Sequence, residues 1–408
     1  MRWVCAYFRR QIEEISADPA LRAYGVALVA LHVLTAVWLR HNDIAAMVAA
    51  GREAICWPLL PECERLRVLS APALGTTFKL YAAVAVLVAV GFGRRRWIAG
   101  GYWGLVLLTI FKLAVIALDF RLRRNQHYMA FATTGLFLFV PKKRDGVRVL
   151  LVLFYFWAGT LKLNWEWISG GGLYRPLWFF TGRGIVAACV YVVVLELAFV
   201  WGLLARRSWI FWACFAQVVV FHILSWSVVG FFYPLLMFGL LTIFMFCRLG
   251  PGGAAERLGA TLVQGGGPRP VYVMAIAFSA LQLTAHLYPG DTTLTGEGRL
   301  FALHMFDARV ECDARATVKL PRGDSFQVSL RGAGERTACD PITIYGAARN
   351  LCRRREAGRM SFVDLDVHLV SRRSTDAVAK PIITLRDFCH DRPRYDPFMH
   401  NDWVGAGR

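Results

Sequence analysis

Leu74-Gly-Thr-Thr-Phe-Lys-Leu-Tyr-Ala-Ala-Val-Ala-Val-Leu-Val-Ala-Val-Gly-Phe-Gly93, followed at once by Arg94-Arg95-Arg96 and then by a second apolar run over 97–119, decides how this chain is read. A run of about 20 residues with a single charge, Lys79, is long enough as a helix to cross a hydrocarbon core of ~30 Å. The arginine triplet marks a short turn that the positive-inside rule holds on the cytoplasmic side, so the two runs form an antiparallel pair of spans. Working outward, further apolar runs lie at 22–40, 128–141, 147–166, 185–205, 209–231, 233–247 and 271–288. The expectation is an all-α polytopic membrane bundle of about nine transmembrane helices over 21–288. The runs at 128–141 and 233–247 are the shortest for that thickness.

Composition agrees. Of 408 residues 56% are hydrophobic, and the mean hydropathy is +0.44, which suits a lipid bilayer better than a soluble core. The net charge of +19 does not point to a nucleic-acid partner. Its lysines and arginines sit in short clusters between apolar runs, with no zinc, helix-turn-helix or RNA-binding signature beside them. The first apolar run follows a segment, 1–20, carrying Arg2, Arg9, Arg10, Glu13 and Glu14. That segment reads as a cytoplasmic amphipathic stretch and not as a cleavable leader.

The clusters Arg9-Arg10, Arg94-Arg95-Arg96, Lys142-Lys143-Arg144, Arg206-Arg207 and Arg248 with Arg257 fall in every second gap. Placing all of them inside puts the N-terminus in the cytoplasm and the C-terminus outside, which for a bacterial chain means the plasma or inner membrane. Cysteine positions provide a separate check. Cys56, Cys63, Cys312, Cys339, Cys352 and Cys389 then share the oxidising side, whereas Cys189 and Cys214 lie in spans and Cys5 and Cys247 face the cytoplasm. Six thiols allow fifteen connectivities, and Cys56 with Cys63 either closes a small loop or ties that loop to the C-terminal region.

From 289 to 408 charges of both signs and alternating patterns replace long apolar runs, predicting a small, mostly β extracytoplasmic domain. Ala316–Leu320, Ser325–Leu330 and Phe362–Val370 read as strands. In the last, Val363, Leu365, Val367 and Leu369 share one face and Asp364, Asp366 and His368 the other. A helix is expected near Tyr345–Ala357, and a Gly/Pro linker at 250–269 on the cytoplasmic side.

Ionisable side chains inside spans are costly, so their positions carry information. Lys79, Lys112, Lys162 and His222 fall in the outer halves of their spans, Glu196 near mid-span, and His127 beside a span end. Together they read as the lining of one outward-facing cavity. Structural readings compete: Lys79 and Lys112 as snorkelling lysines, Glu196 and His222 as an interhelical pair. The loop Asp119–His127 is expected outside yet carries Arg121, Arg123 and Arg124, which reads either as a misassigned span or as a basic cluster for an anionic ligand. No metal is expected, for the histidines and cysteines lack ligand spacing and no Cys-x-x-Cys occurs.

The segment Phe154-Tyr-Phe-Trp-Ala-Gly-Thr-Leu-Lys-Leu-Asn-Trp-Glu-Trp-Ile-Ser-Gly170 resembles a signature of the vitamin K-dependent gamma-carboxylases and their bacterial relatives, the horizontally transferred transmembrane (HTTM) domain family. Asn125-Gln-His-Tyr128 resembles that family's Asn-Asn-His segment, and Glu196 followed by Phe221-His222 is similar to its pattern in the next helices. The resemblance covers about 20–290. It implies an enzyme coupling oxidation of a reduced naphthoquinone, of vitamin K or menaquinol type, by oxygen to carboxylation of a carboxylate-bearing peptide or protein substrate. Lys162 would be the base, a role that burial of an amine favours. His127 would support it, with Asn125, Gln126, Trp157, Glu196 and His222 around the quinone and Arg121, Arg123 and Arg124 toward substrate carboxylates. Two departures stand out. Leu161-Lys162 replaces a Lys-Lys pair, and Gln126 replaces the second Asn. The region after 288 is also far shorter than the carboxylases' lumenal part. The competing expectation is a non-catalytic assembly or maturation partner that binds another membrane protein through its external domain.

Overall fold

A computed structural model describes residues 2–173, 180–249, 269–303, 309–332 and 337–405. Apart from Arg269, the expected linker lies outside the described residues.

The membrane part begins with α1 (Arg2–Ala17) and α2 (Pro19–His41). Asp18 separates them: its side chain accepts from the Ala20 and Leu21 amides, and Pro19 occupies the first turn of α2. Then come α3 (Ala71–Gly93), α4 (Ile98–Ala117), α5 (Asn125–Phe139), α6 (Lys143–Leu161), α7 (Arg183–Leu197), α8 (Ser208–Val229), α9 (Phe232–Leu249) and α10 (Arg269–Leu283). Among the described residues seven helical stretches are long and apolar enough to cross a membrane: Pro19–His41, Ala71–Gly93, Arg95–Ala117, Arg183–Leu204, Ser208–Val229, Phe232–Leu249 and Arg269–Leu287. The runs at 128–141 and 147–166 form the helices α5 and α6, which are not among these seven. α5 has 15 residues, about 22 Å at 1.5 Å per residue. α6 opens on the charged turn Lys143-Arg144-Asp145, and it ends at Leu161, with Lys162 as its C-cap.

The bundle is apolar inside and outside, as a bilayer requires. α6 buries Leu150, Leu151, Val152, Leu153, Phe154 and Tyr155 in succession, the mark of a helix packed on every side. The peripheral helices α3 and α4 instead expose Leu80, Leu87, Leu107 and Ile110. Such exposure is unfavourable in water and costs nothing against acyl chains.

The C-terminal region is an antiparallel sheet in the order β2-β1-β3-β4, built from β1 (Val310–Lys319), β2 (Ser325–Ser329), β3 (Asp364–Arg373) and β4 (Lys380–Leu385). Helix α11 (Pro341–Glu356) packs with it, and Ile344 and Ala348 join Ala316, Val318, Leu365 and Val367 in one core. α11 starts earlier than the expected Tyr345 because Asp340 caps it and Pro341 begins it. The alternation read from sequence holds from Leu365 to Leu369 and fails before it. Val363 precedes the strand and is exposed, whereas Asp364 is buried and accepts from the Leu365 and Cys389 amides.

Disulfides join Cys56 to Cys63, Cys312 to Cys339 and Cys352 to Cys389. The first closes its own small loop and does not tie it to the domain. The second links β1 to the turn before α11, and the third links α11 to the turn after β4. Cys5, Cys189, Cys214 and Cys247 are free thiols.

Candidate ligand cavity and a buried polar chain

The first turn of α5 carries Asn125, Gln126 and His127 to one wall of a cavity of about 710 Å³ between the bundle and the C-terminal domain. Leu113, Ile116, Phe131, Val228 and Val229 give it an apolar side. Arg123, Arg124, Arg299 and Asp340 give it a charged one. His127 is 2% exposed, and neither ring nitrogen has a hydrogen-bond partner among the described residues. Its ring packs at a steep angle against two aromatic rings, Trp38 at 5.1 Å and Phe232 at 5.4 Å between centroids. Buried polar atoms in folded proteins are nearly always paired, so an imidazole in this state marks a place for a ligand or water. Arg124 Nε is likewise buried and unpaired, and burial holds this guanidinium below its ordinary pKa.

The three arginines singled out in the sequence part company. Arg121 is held by Asp119, with Nε to Oδ1 and Nη2 to Oδ2 both at 2.8 Å, and it does not line the cavity. Arg123 lines the cavity and reaches Asp340 of the domain at 3.3 Å. Asp119 also takes buried Arg67, whose guanidinium burial pushes below its ordinary pKa and the carboxylate pulls back up. The basic loop is thus partly a structural joint. Lys79 and Lys112 separate as well: Lys79 is exposed, whereas Lys112 is buried with Nζ 5.1 Å from the Phe131 ring centroid.

Lys162 does not line this cavity. It is 2% exposed, donates to Glu196 Oε1 at 2.5 Å, and lies 5.0 Å from the Trp167 ring centroid. Gly159 allows the pairing, for a Cβ there would sit 2.9 Å from Glu196 Cβ. One turn earlier on α6, Tyr155 shares a 2.5 Å hydrogen bond with His222 Nε2, and the His222 ring packs against Tyr233. Neighbouring Phe232 packs against His127, so the start of α9 stands between the two polar groups. Trp157 turns elsewhere, donating to Ser279 of α10 at 3.1 Å. The expected single site is therefore two: Asn125, Gln126, His127, Arg123 and Arg124 at the cavity, and Lys162, Glu196 and His222 in the bundle interior.

Glu166 went unnoticed in the sequence because it closes an apolar run. Asn164 caps the short helix Trp165–Ile168 and turns Glu166 toward the domain. There Glu166 accepts from the Arg309 amide at 3.2 Å, the Ser374 hydroxyl at 2.5 Å, and the amide and hydroxyl of Thr375. Burial alone would raise its pKa, but the hydrogen bonds from Ser374, Thr375 and Arg309 outweigh that and hold the carboxyl below its ordinary value. A carboxyl depressed in the folded state stabilises docking above its ordinary value of 4.5 and stops doing so as pH falls through the depressed one. Amide exchange over 372–376, corrected for intrinsic rate, is expected to quicken on acidification below that value. In Glu166→Gln it should already be fast and flat with pH. A wild-type profile that is flat as well would remove Glu166 as the latch.

Arg299 and Asp340 were also not foreseen, since nothing local in the C-terminal region announces that it closes a cavity on the bundle. Compared with known proteins, the chain matches no family model, no curated protein and no solved structure.

Proposed function

We propose that this chain is a membrane-embedded enzyme of the carboxylase-like kind, acting on a reduced naphthoquinone and a carboxylate-bearing substrate in the cavity between bundle and domain. One observation carries the reading: a buried imidazole with neither nitrogen paired among the described residues, beside two amide side chains, in a cavity apolar on one side and arginine-lined on the other. A volume of about 710 Å³ suits a drug-sized ligand with an apolar body and a few polar points. The quinol, when bound, supplies the electrons that oxygen takes up, a chemistry no side chain here offers. Asn125 and Gln126 orient its polar edge, and the wall formed by Leu113, Ile116 and Phe131 receives its ring and tail. His127 holds or accepts a proton at the nitrogen facing the ligand, and Arg124 attracts a carboxylate. Lys162 faces Glu196 and not this cavity, so any part it has as a base runs through that pair, where a proton shift from ammonium to carboxylate yields a neutral amine without changing the net charge.

In this reading the domain lies outside the cytoplasm. Support comes from two independent sources: the basic clusters occupy alternate gaps, and the six cysteines placed outside by that rule are the six that pair.

The test is turnover in liposomes supplied with reduced menaquinone, bicarbonate and oxygen. Wild type is expected to form quinone epoxide, and His127→Ala to lose about 10²–10⁴-fold, the usual worth of a positioned acid or base. Equal turnover in both, or none in folded wild-type protein, would sink the reading. The sealed Lys162–Glu196 pair favours one other possibility, a non-catalytic assembly partner in which the polar chain is internal glue. That protein would hold no quinone and would instead co-purify with a membrane partner.

A further inference from the structure

The strap over 291–303 crosses the end of the membrane helix Arg269–Leu287 at Gly298. There φ is +71°, and a Cβ would come within 2.6 Å of Ala285 Cα and 2.9 Å of the Tyr288 ring. The strap lines the cavity through Thr293, Gly296 and Arg299. It is fastened by Glu297, a buried carboxylate that accepts from His400 Nδ1 and the Asn401 amide, each at 2.8 Å. Between Asp396 and Asn401 the chain makes a built turn: Asn401 Oδ1 accepts from the Asp396 amide at 2.7 Å, and Asp396 Oδ1 accepts from the Phe398 amide at 2.8 Å. All this order serves to present Phe398 and Met399 outward, each 66% exposed.

The placement of that turn says what covers it. The Tyr288 hydroxyl, one residue past the membrane helix, donates to the Pro397 carbonyl at 3.0 Å. Phe398 stacks on Phe301 of the strap with centroids 5.3 Å apart. The helix that ends there is itself lipid-facing, with Val273, Ile276, Leu283 and Leu287 exposed. Two large apolar side chains on a hydrogen-bonded turn, tied to an interfacial tyrosine at the end of a lipid-facing helix, extend the surface that the bilayer already covers.

We propose that the turn Asp396–Asn401 is a membrane foot: Phe398 and Met399 insert into the lipid leaflet beside the domain and, through Glu297, seat the strap over the cavity at the bilayer surface. The proposal rests on the bundle crossing a membrane, and it holds whether or not the cavity binds a quinol.

The test uses the full chain in liposomes, with Cys5→Ser removing the exposed native thiol and a nitroxide attached at Met399→Cys. Intact disulfides and the far-ultraviolet spectrum report the fold. A second label at Arg322→Cys, in the hairpin turn after β1 and a strand length away from the cavity end marked by Val310, provides the aqueous reference. The expected result is a shift at 399 toward collisions with dissolved oxygen over a water-soluble nickel chelate, with the reverse at 322. A chelate preference at 399 equal to that at 322 would overturn the foot. Spin–spin broadening at 399 that disappears on dilution with unlabelled protein would overturn it too, since a second copy would then be the covering surface.

Discussion

Lys162→Met is expected to destabilise the protein by about 3–5 kcal/mol, and Glu196→Met by a similar amount, whereas the double variant recovers most of the loss. The asymmetry follows from burial. Both side chains are almost wholly enclosed, and the ammonium donates to the carboxylate. Removing either partner leaves a charge that neither lipid nor the surrounding Leu197 and Trp167 can solvate. Removing both replaces two costly ions with apolar groups of similar volume, which buried sites tolerate. Thermal unfolding of the single and double variants in one detergent measures this directly, and losses that simply add would show that the two groups do not stabilise each other. The double variant also separates two roles that a single substitution confounds. If it is as stable as wild type and retains quinol turnover, Lys162 is a lock and His127 works without it. If it is stable and inactive, the amine has a chemical part, and the pairing with Glu196 is how the bundle stores it.

The parts of this architecture that the sequence revealed are those written in local period or composition. The arginine triplet at 94–96 marks the turn between α3 and α4, and the alternation at Leu365, Val367 and Leu369 gives the buried face of β3. The set of six pairing cysteines followed from topology, although their partners did not, because a pairing is a three-dimensional fact. β4 was missed because Lys380-Pro381 opens a six-residue stretch, and proline argues against a central strand; the structure places β4 at the sheet edge, where proline is tolerated. The site was half legible for the same reason. His127 and Lys162 stood out as polar residues in apolar surroundings, but periodicity names the face a residue occupies and not the residue it meets. Glu196, 34 positions from Lys162, and Asp340, 217 positions from Arg123, become partners only through tertiary packing. The sequence therefore merged into one cavity two polar groups that Phe232 and Tyr233 at the start of α9 keep apart.

Asp119→Ala is expected to cost about 3–5 kcal/mol and to loosen the C-terminal domain from the bundle, because Asp119 is where three segments meet. It is fully buried, accepts from Arg121 and from the Ile55 amide at 3.3 Å, and neutralises Arg67, whose side chain is 1% exposed. Without it Arg67 keeps carbonyl acceptors, Leu118 at 2.8 Å and Met47 at 3.2 Å among them, but loses the carboxylate it is paired with and retains only the weaker pull of Glu64. A guanidinium does not escape by deprotonating, so it drags its segment toward water. That segment carries Ile55, which packs with Phe120 of the bundle and Ile342 of α11, and Ala54, whose carbonyl accepts from Asn350 at 3.0 Å. Losing this corner opens the cavity wall near Trp57 and Leu59. Asp119→Asn, which retains an acceptor without the charge, should fall between wild type and alanine. Arg67→Met combined with Asp119→Leu should regain stability, since Arg121, 26% exposed at the side chain, can turn to solvent. Limited proteolysis across 50–67 and thermal unfolding together read the effect. An Asp119→Ala protein that melts like wild type and resists cleavage there would show that the corner is held by the Ile55, Phe120 and Ile342 contact alone.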